Sequence, residues 1–300
     1  MPEQGLQWIP HKELLTYEEM LRICSLLTDM GIEKIRITGG EPFVRKGILE
    51  FLSSLSRLPK LKEISLTTNG LLTAPYVPEL KKIGVRSVNL SLDTLDRSKF
   101  YSITRRDELH HVLETLDQLL YHNIQIKINT VIMDKVNSDD IFSLAELTKT
   151  LPISVRFIEE MPFNGAGNNF SGIIWNHNKI IEVLKDKFPS IRKVTDPAYS
   201  TASNYSITGH KGTIGIIAAY SRTFCGTCNR LRITPDGLIK TCLYDGGLMN
   251  IKDLLRKGSS DNNLQIALID ILNNRYKNGW EAEKQFITKG INRSMASIGG

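Results

Sequence analysis

Through the first half of the chain, short runs in which apolar and polar residues alternate are separated by longer stretches with apolar residues at helical spacing. The alternating runs are KIRITGG at 34–40, EISLTTN at 63–69, SVNLSLD at 87–93, IQIKINTVIM at 124–133 and SVRFIEEM at 154–161. Between them lie stretches such as YEEMLRICSLLTDMG, in which Met20, Ile23, Cys24 and Leu27 share one helical face and Gly31 supplies a stop. Strands that alternate with helices build repeated βαβ units and a parallel sheet, so the predicted class is α/β. Cys24 falls on the apolar stripe and reads as a buried free thiol.

Parallel strands covered on both faces read as continuous apolar runs, and these do not. Alternation sends Ile35, Ile37, Ile64, Leu66, Val88, Leu90, Leu92, Ile124, Ile126 and Ile128 toward the helices. It leaves Arg36, Thr38, Ser65, Thr67, Asn89, Ser91, Gln125, Lys127 and Asn129 on the opposite face, which is polar and partly cationic. A closed eight-stranded barrel fills its lumen with branched apolar side chains, so a polar lumen predicts fewer strands, a splayed barrel and a large anionic ligand inside. After Met161 the texture changes. The stretch PFNGAGNNFSG, rich in Gly and Asn, marks the expected domain boundary, with one domain over 1–165 and a second over 166–300. The second is expected to hold a short helix at about 177–188, Gly-punctuated strands within SNYSITGHKGTIGIIAAYS and a helix near 261–276.

At 300 residues and 41% hydrophobic content the chain can bury a large core. No apolar run reaches the roughly 18 to 20 residues of a bilayer span, and MPEQGLQWIP has neither a basic nor an apolar leader region. A cytoplasmic location without a membrane partner is the expectation. The formal charge of +6 would suit nucleic acid, an anionic substrate or solubility, and no run of Lys and Arg is dense enough to choose. Aromatic residues make up 7% of the chain, too few beside basic residues for a stacking platform, so no nucleic-acid partner is expected. Four cysteines are too few for a disulfide framework, and three of them crowd one segment, which points to metal binding or redox chemistry.

That segment reads FCGTCNRLRITPDGLIKTC over 224–242. Cys225 and Cys228 form a C-x-x-C loop, and Pro235-Asp236-Gly237 supplies the turn of a hairpin whose second arm ends at Cys242. A three-residue loop sets Cys242 opposite Arg230 and diagonal to Cys228, so the thiolates share a face with Arg230 and Arg232. Guanidinium forks match phosphate and carboxylate geometry, which predicts an anion site beside a metal centre. Spacing leaves two occupants open: an iron–sulfur centre, or zinc in a Cys₃His site with His210 or His177 as fourth ligand.

Taken together, FCGTCNRLRITPDGLIKTCL, ITGGEPFVRKG, LTTNGLL, NLSLD, RFIEEMP and the terminal SIGG resemble the GTP 3′,8-cyclases of molybdenum cofactor biosynthesis, a family of the radical S-adenosylmethionine superfamily. The resemblance runs from Met1 to Gly300. It implies an incomplete (β/α)6 TIM-like barrel and a C-terminal α+β domain carrying an iron–sulfur hairpin, with S-adenosylmethionine near one [4Fe-4S] cluster and GTP at a second. On this resemblance Cys225, Cys228 and Cys242 hold three irons of the second cluster, and the fourth iron is left for the GTP base. Arg36, Thr67, Lys127, Arg230 and Arg232 match GTP contacts. Gly40, Ser91 and Met161 match S-adenosylmethionine contacts, and Glu41 and Arg156 sit where neighbouring contacts to that ligand are expected. The implied reaction turns GTP into (8S)-3′,8-cyclo-7,8-dihydroguanosine 5′-triphosphate for the next enzyme, cyclic pyranopterin monophosphate synthase. A homodimer is expected, and Gly299-Gly300 matches a double-glycine tail that reaches into the active site.

One departure accompanies the match. The family's C-x-x-x-C-x-Y-C motif, which binds the cluster that cleaves S-adenosylmethionine, does not occur, and the resemblance begins at the Met1-Pro2 pair that follows that motif's last cysteine in relatives. The chain as written is therefore expected to lack the first barrel strand, three ligands and an arginine that relatives use for GTP. Without that cluster the reaction is not expected to run, and no catalytic residue is assigned. The alternative reading is a non-catalytic protein, stabilised by zinc or a cluster, that binds a nucleotide or nucleic acid.

Overall fold

The computed structural model describes residues 9–161 and 172–287. The expected boundary loop, except for Gly172, lies outside the described residues, as do Met1-Pro2 and Gly299-Gly300. The helices are α1 (Tyr17–Asp29), α2 (Ile48–Ser56), α3 (Val77–Ile83), α4 (Arg97–Thr104), α5 (Leu109–Tyr121), α6 (Ile141–Thr150), α7 (His177–Lys187), α8 (Ile251–Arg256), α9 (Asp261–Asn273) and α10 (Gly279–Ile287). The strands are β1 (Lys34–Ile37), β2 (Glu63–Thr68), β3 (Ser87–Ser91), β4 (Gln125–Ile132), β5 (Ser154–Glu159), β6 (Arg192–Lys193), β7 (Ala202–Ser206), β8 (Thr213–Ile217), β9 (Arg232–Ile233), β10 (Leu238–Lys240) and β11 (Met249–Asn250). Each alternating run of the first half is a strand, and the helix expected near 261–276 ends at Asn273, capped there by Asn274. No described helix is long and apolar enough to cross a membrane.

The chain divides into two compact units, Met1–Ile64 with Cys225–Gly300, and Ser65–Phe224. In the second unit the strands lie in the order β2-β3-β4-β5-β8-β7-β6. The first five of these run parallel, and β7 and β6 turn antiparallel at the far end. The architecture is thus α/β with a mainly parallel sheet, as the alternation of elements predicts. The apolar positions of β2, β3 and β4 pack as the period of two requires: Ile64, Leu66, Val88, Leu90, Ile126 and Ile128 are all buried. Thr130 on that face is also buried, and its hydroxyl donates to the Leu92 carbonyl at 2.7 Å.

The first unit is built from the two ends of the sequence. A capping box opens α1: the Thr16 hydroxyl accepts the Glu19 N–H at 3.1 Å, and the Thr16 N–H donates to the Glu19 carboxylate at 2.8 Å. Ile23, Leu26 and Leu27 of this helix join Leu15, Ile239, Ile251, Leu255, Leu264, Leu268 and Ile271 in one core. Polar bonds reinforce the same packing, with Lys252 reaching the Glu13 carboxylate at 2.9 Å and Arg256 the Glu19 carboxylate at 2.8 Å. Cys24 is half-buried, and burial pushes its thiol up to about 12, which leaves it unreactive at neutral pH. Ile35 and Ile37 of β1 are half-buried, a departure from the expected burial of both.

Candidate functional site

Strands β9 and β10 form the two arms of the cysteine hairpin, with Ile239 opposite Ile233 and Lys240 opposite Arg232. This is the register a three-residue loop predicts; the pairing ends at Lys240 and Arg232, so the expected Cys242–Arg230 pair lies beyond the ladder. Gly237 closes the loop at φ +88, and a Cβ there would meet Lys252 Cβ at 2.6 Å and Lys252 N at 3.1 Å, so glycine is required on both backbone and steric grounds. The Gly237 carbonyl in turn accepts the Ile251 N–H at 2.8 Å, which fastens the turn to the start of α8. Residues Cys225–Thr227 make a single 3-10 turn, and the Cys228 N–H donates to the Cys225 carbonyl at 3.3 Å.

Within this unit the thiols and the arginines converge. Burial, and then the neighbouring Arg230, bring the Arg36 guanidinium down to about 10, with Arg232 adding to the repulsion and Glu63 opposing it. Burial likewise lowers Arg230 and Arg232 from their ordinary value, against the pull of Cys228 on both and of Cys242 and Asp245 on Arg232. Three guanidiniums that disfavour one another's charge are relieved by a polyanion. Burial pushes the Cys242 thiol upward. The nearby Asp245 and Cys225 add to that push, while a backbone bond at Tyr244 and the charge of Arg232 oppose it. Gly40 lies exposed beyond β1, and the Glu41 side chain accepts the Phe43 N–H at 3.3 Å as the cap of a short turn.

The donor set tests what the thiols can hold. All three are free and half-buried. Among the described residues, the one grouping of three ligand atoms mutually within 4.8 Å is Glu108, His110 and His111, so at least one pair of the three sulfurs is wider apart than that. A zinc ion with sulfurs at about 2.3 Å in a tetrahedron needs S–S edges of about 3.8 Å. A cubane, whose irons stand at separate corners, spreads its cysteines wider than one ion does, and three free, half-buried thiols beside cationic side chains are a donor set of the kind such a group uses. The two histidines offered as a fourth zinc ligand are engaged within the second unit: His177 Nε2 with the Tyr205 hydroxyl at 3.1 Å, and His210 Nδ1 with the Thr148 hydroxyl at 2.8 Å.

In the second unit the predicted residues fall into two rows across the sheet. Thr67, Asn89 and Lys127 stand opposite one another on β2, β3 and β4. Two residues further along, Ser91, Asn129 and Arg156 do the same on β3, β4 and β5. Asn89 donates to the Thr67 hydroxyl at 3.2 Å. The amide oxygens of Asn89 and Asn129, the middle members of the two rows, are buried without a donor, an arrangement a ligand with N–H or O–H groups would satisfy. Gly215 lies opposite Arg156, and a Cβ there would press on Arg156 Cγ at 3.1 Å, so the glycine makes room for the arginine stem. Met161 is buried just past the end of β5. Asp93, beyond β3, accepts the Val131 N–H at 2.9 Å, yet burial pushes its carboxyl up to about 6.

Sequence reasoning missed two residues of the first unit. Asp245 is buried and takes the backbone N–H of both Thr241 and Cys242 at 2.8 Å. Arg275 donates to the Cys228 carbonyl and so braces the C-x-x-C loop from 47 residues away. The Asp-Gly-Gly of TCLYDGG carries a turn signal that points to the first; nothing local marks the second.

Two family profiles match this chain: the Radical SAM superfamily over residues 3–148 and Molybdenum Cofactor Synthesis C over residues 153–280. The GTP 3′,8-cyclase of Clostridium perfringens (strain 13 / Type A) is 38% identical over 302 residues, covering all of this chain and 92% of that protein. The mitochondrial GTP 3′,8-cyclase of Arabidopsis thaliana is 39% identical over 310 residues, covering 76% of that protein. Molybdenum cofactor biosynthesis protein 1 of Homo sapiens is 40% identical over 265 residues, 88% of this chain, and the chain spans only 42% of that relative's length. Among solved structures, Streptococcus suis SuiB bound to S-adenosylmethionine superposes with a TM-score of 0.58 at 17% identity, over 82% of this chain and 59% of that one. Native anSMEcpe with bound AdoMet and Cp18Cys peptide gives 0.55 at 15% identity, over 89% of this chain and 79% of that one. Both agree with the mainly parallel α/β sheet described above.

Proposed function

This chain belongs to the GTP 3′,8-cyclase family of the radical S-adenosylmethionine superfamily, and from that premise we propose that it is the enzyme, or a part of one, that converts GTP to (8S)-3′,8-cyclo-7,8-dihydroguanosine 5′-triphosphate. The product would pass to cyclic pyranopterin monophosphate synthase. The observation that carries the reading is the convergence of Cys225, Cys228 and Cys242 with Arg36, Arg230 and Arg232 in one unit. A [4Fe-4S] cluster and S-adenosylmethionine supply the radical chemistry in this superfamily, and the protein supplies binding and orientation.

The residues divide that work. Cys225, Cys228 and Cys242 hold the cluster beside which the nucleotide binds. Arg36, Arg230 and Arg232 hold the triphosphate, each charge-assisted bond contributing roughly 1.5 to 3 kcal/mol. By their match to the family's motifs, Thr67 and Lys127 are assigned to GTP, and Gly40, Glu41, Ser91, Arg156 and Met161 to S-adenosylmethionine. The same reading places an incomplete (β/α)6 barrel over 1–165 and a cofactor-synthesis domain over 166–300; the two family profiles, which meet between residues 148 and 153, support a division of this kind.

Anaerobic reconstitution with iron and sulfide tests it, and about four irons per chain are expected, one cubane. The loaded chain should retain GTP, and Arg230→Ala or Arg232→Ala should weaken retention roughly ten-fold, the equivalent of about 1.4 kcal/mol. Stoichiometric zinc in protein from iron-replete cells, or equal GTP retention in both variants, would overturn the proposal.

A further inference from the structure

We propose that Asp245 is the positioning residue of the third thiolate, holding Cys242 in its ligating place and fixing a negative charge beside the centre. The inference rests on the reading that Cys225, Cys228 and Cys242 bind an iron–sulfur cluster.

Beyond Lys240 the hairpin arm leaves its ladder, so no strand partner fixes the backbone that carries Cys242. Asp245 takes over that task. Its side chain is 1% exposed, and one carboxylate oxygen accepts three donors: the Thr241 N–H at 2.8 Å, the Cys242 N–H at 2.8 Å and the Thr241 hydroxyl at 3.2 Å. The other oxygen accepts the Gly247 N–H at 2.9 Å, and the Asp245 N–H returns to the Cys242 carbonyl at 3.4 Å. The carboxylate thus ties the residue before the ligand, the ligand itself and a residue five positions beyond it into one closed loop. Four donors satisfy both oxygens of this buried carboxyl group.

Two consequences follow. The Cys242 N–H is committed to Asp245 and is not offered to cluster sulfur, and hydrogen bonds to sulfur are one of the ways a protein sets a cluster's reduction potential. The fixed negative charge also stands in the same neighbourhood as Arg232, so it tempers the cationic field of the arginines at that corner. A residue that merely completed the fold would do neither. Outer partners that orient a ligand are worth a great deal to metal sites in general, typically 10- to 100-fold in affinity.

The experiment uses the anaerobically reconstituted full chain with three variants, Asp245→Ala, Asp245→Asn and, as reference, Cys242→Ser. Circular dichroism checks the fold of each. Loss of iron to a chelator is followed by absorbance, and the cluster's reduction midpoint by electron paramagnetic resonance in a redox titration. Asp245→Ala is expected to lose iron roughly 10- to 100-fold faster than the parent chain. Asp245→Asn keeps the shape and part of the hydrogen bonding while removing the charge, so its cluster should load and its midpoint should move to a more positive value. Should Asp245→Ala fail to fold, the midpoint of Asp245→Asn decides alone. A folded Asp245→Asn chain with the parent's iron retention and midpoint would overturn the inference. If the parent chain itself loads no cluster, and Cys242→Ser behaves as the parent does, the underlying reading fails instead.

Discussion

The cysteine hairpin of the first unit and the polar face of the second unit's sheet position their side chains by different means. On the sheet, Thr67, Asn89 and Lys127 fall in one row and Ser91, Asn129 and Arg156 in the next because a parallel ladder fixes every register at once. On the hairpin the ladder covers only a few residues, and the cysteine positions are held by side chains that grip backbone: Asp245 at Thr241 and Cys242, Arg275 at Cys228. A ladder spreads the task of positioning over many bonds, whereas the hairpin concentrates it in a few buried groups. Single substitutions should therefore cost more at the hairpin than on the face of the sheet.

The sharpest test of that contrast is Cys242, the proposed ligand. Cys242→Ser should abolish most of the iron bound by the reconstituted chain, because two cysteines cannot retain a cubane. The corresponding change on the sheet, Ser91→Ala, should leave iron content at the parent's level. Iron retained by Cys242→Ser would remove the distinction between the two regions at its strongest point.

Next comes the turn. Gly237→Ala places a Cβ 2.6 Å from Lys252 Cβ in a residue held at φ +88, and no side-chain rotation relieves a contact with a neighbour's Cβ and backbone nitrogen. Roughly 3 kcal/mol of destabilisation is expected from the combined strain and crowding. Urea unfolding measures it. Gly215→Ala on the sheet meets the flexible Arg156 stem at 3.1 Å and should cost less, about 1 kcal/mol. Equal losses would mean that the two regions do not differ in how they bear strain.

The difference between the regions also explains what was legible in the sequence. Every strand of the first half, and the polar face itself, follow from alternation, since burial of Leu66, Val88 and Ile128 dictates where Thr67, Asn89 and Lys127 must point. The hairpin register followed from Pro235-Asp236-Gly237, a local signal. What periodicity could not carry is anything set by long-range packing. Arg275 meets Cys228 only because α9 and the hairpin share one core, and the half-burial of Ile35 and Ile37 depends on what neighbours β1 rather than on its own pattern. Glu159, which pattern places among the apolar positions, is buried because the Ser221 and His177 N–H groups donate to it at 2.7 and 2.8 Å.

The sheet has its own half-buried carboxyl, and its pH dependence is the third test. Asp93 titrates at about 6 in the folded chain against an ordinary 3.8, so between those values the native state holds a proton that the unfolded chain has released. Stability contributed by this group is therefore highest below about pH 4, falls as pH rises through about 6 and is flat above it. The shift corresponds to about 3 kcal/mol, which partial exposure reduces to about 2. Asp93→Asn should stay level where the parent declines, and the gap between them should open between pH 4 and 7 in urea titrations. Parallel curves would show that burial does not govern Asp93.

The smallest effect belongs to the ladder-held face, and it asks whether side chains there act singly or in rows. Asn89 donates to the Thr67 hydroxyl at 3.2 Å, and an oxygen that accepts a bond turns its own proton elsewhere. If Thr67 contacts GTP, Asn89 makes it a donor to that ligand. Replacing Asn89 by leucine keeps the volume and removes the bond, so GTP retention should weaken about five-fold, the worth of one neutral hydrogen bond near 1 kcal/mol. Thr67→Val should weaken it by a similar factor. Because the two changes break one chain of bonds, the double variant should be little worse than either single, a coupling of about 1 kcal/mol in the cycle. Losses that add would mean that Asn89 and Thr67 act independently, and the rows of the sheet would then be a consequence of register alone.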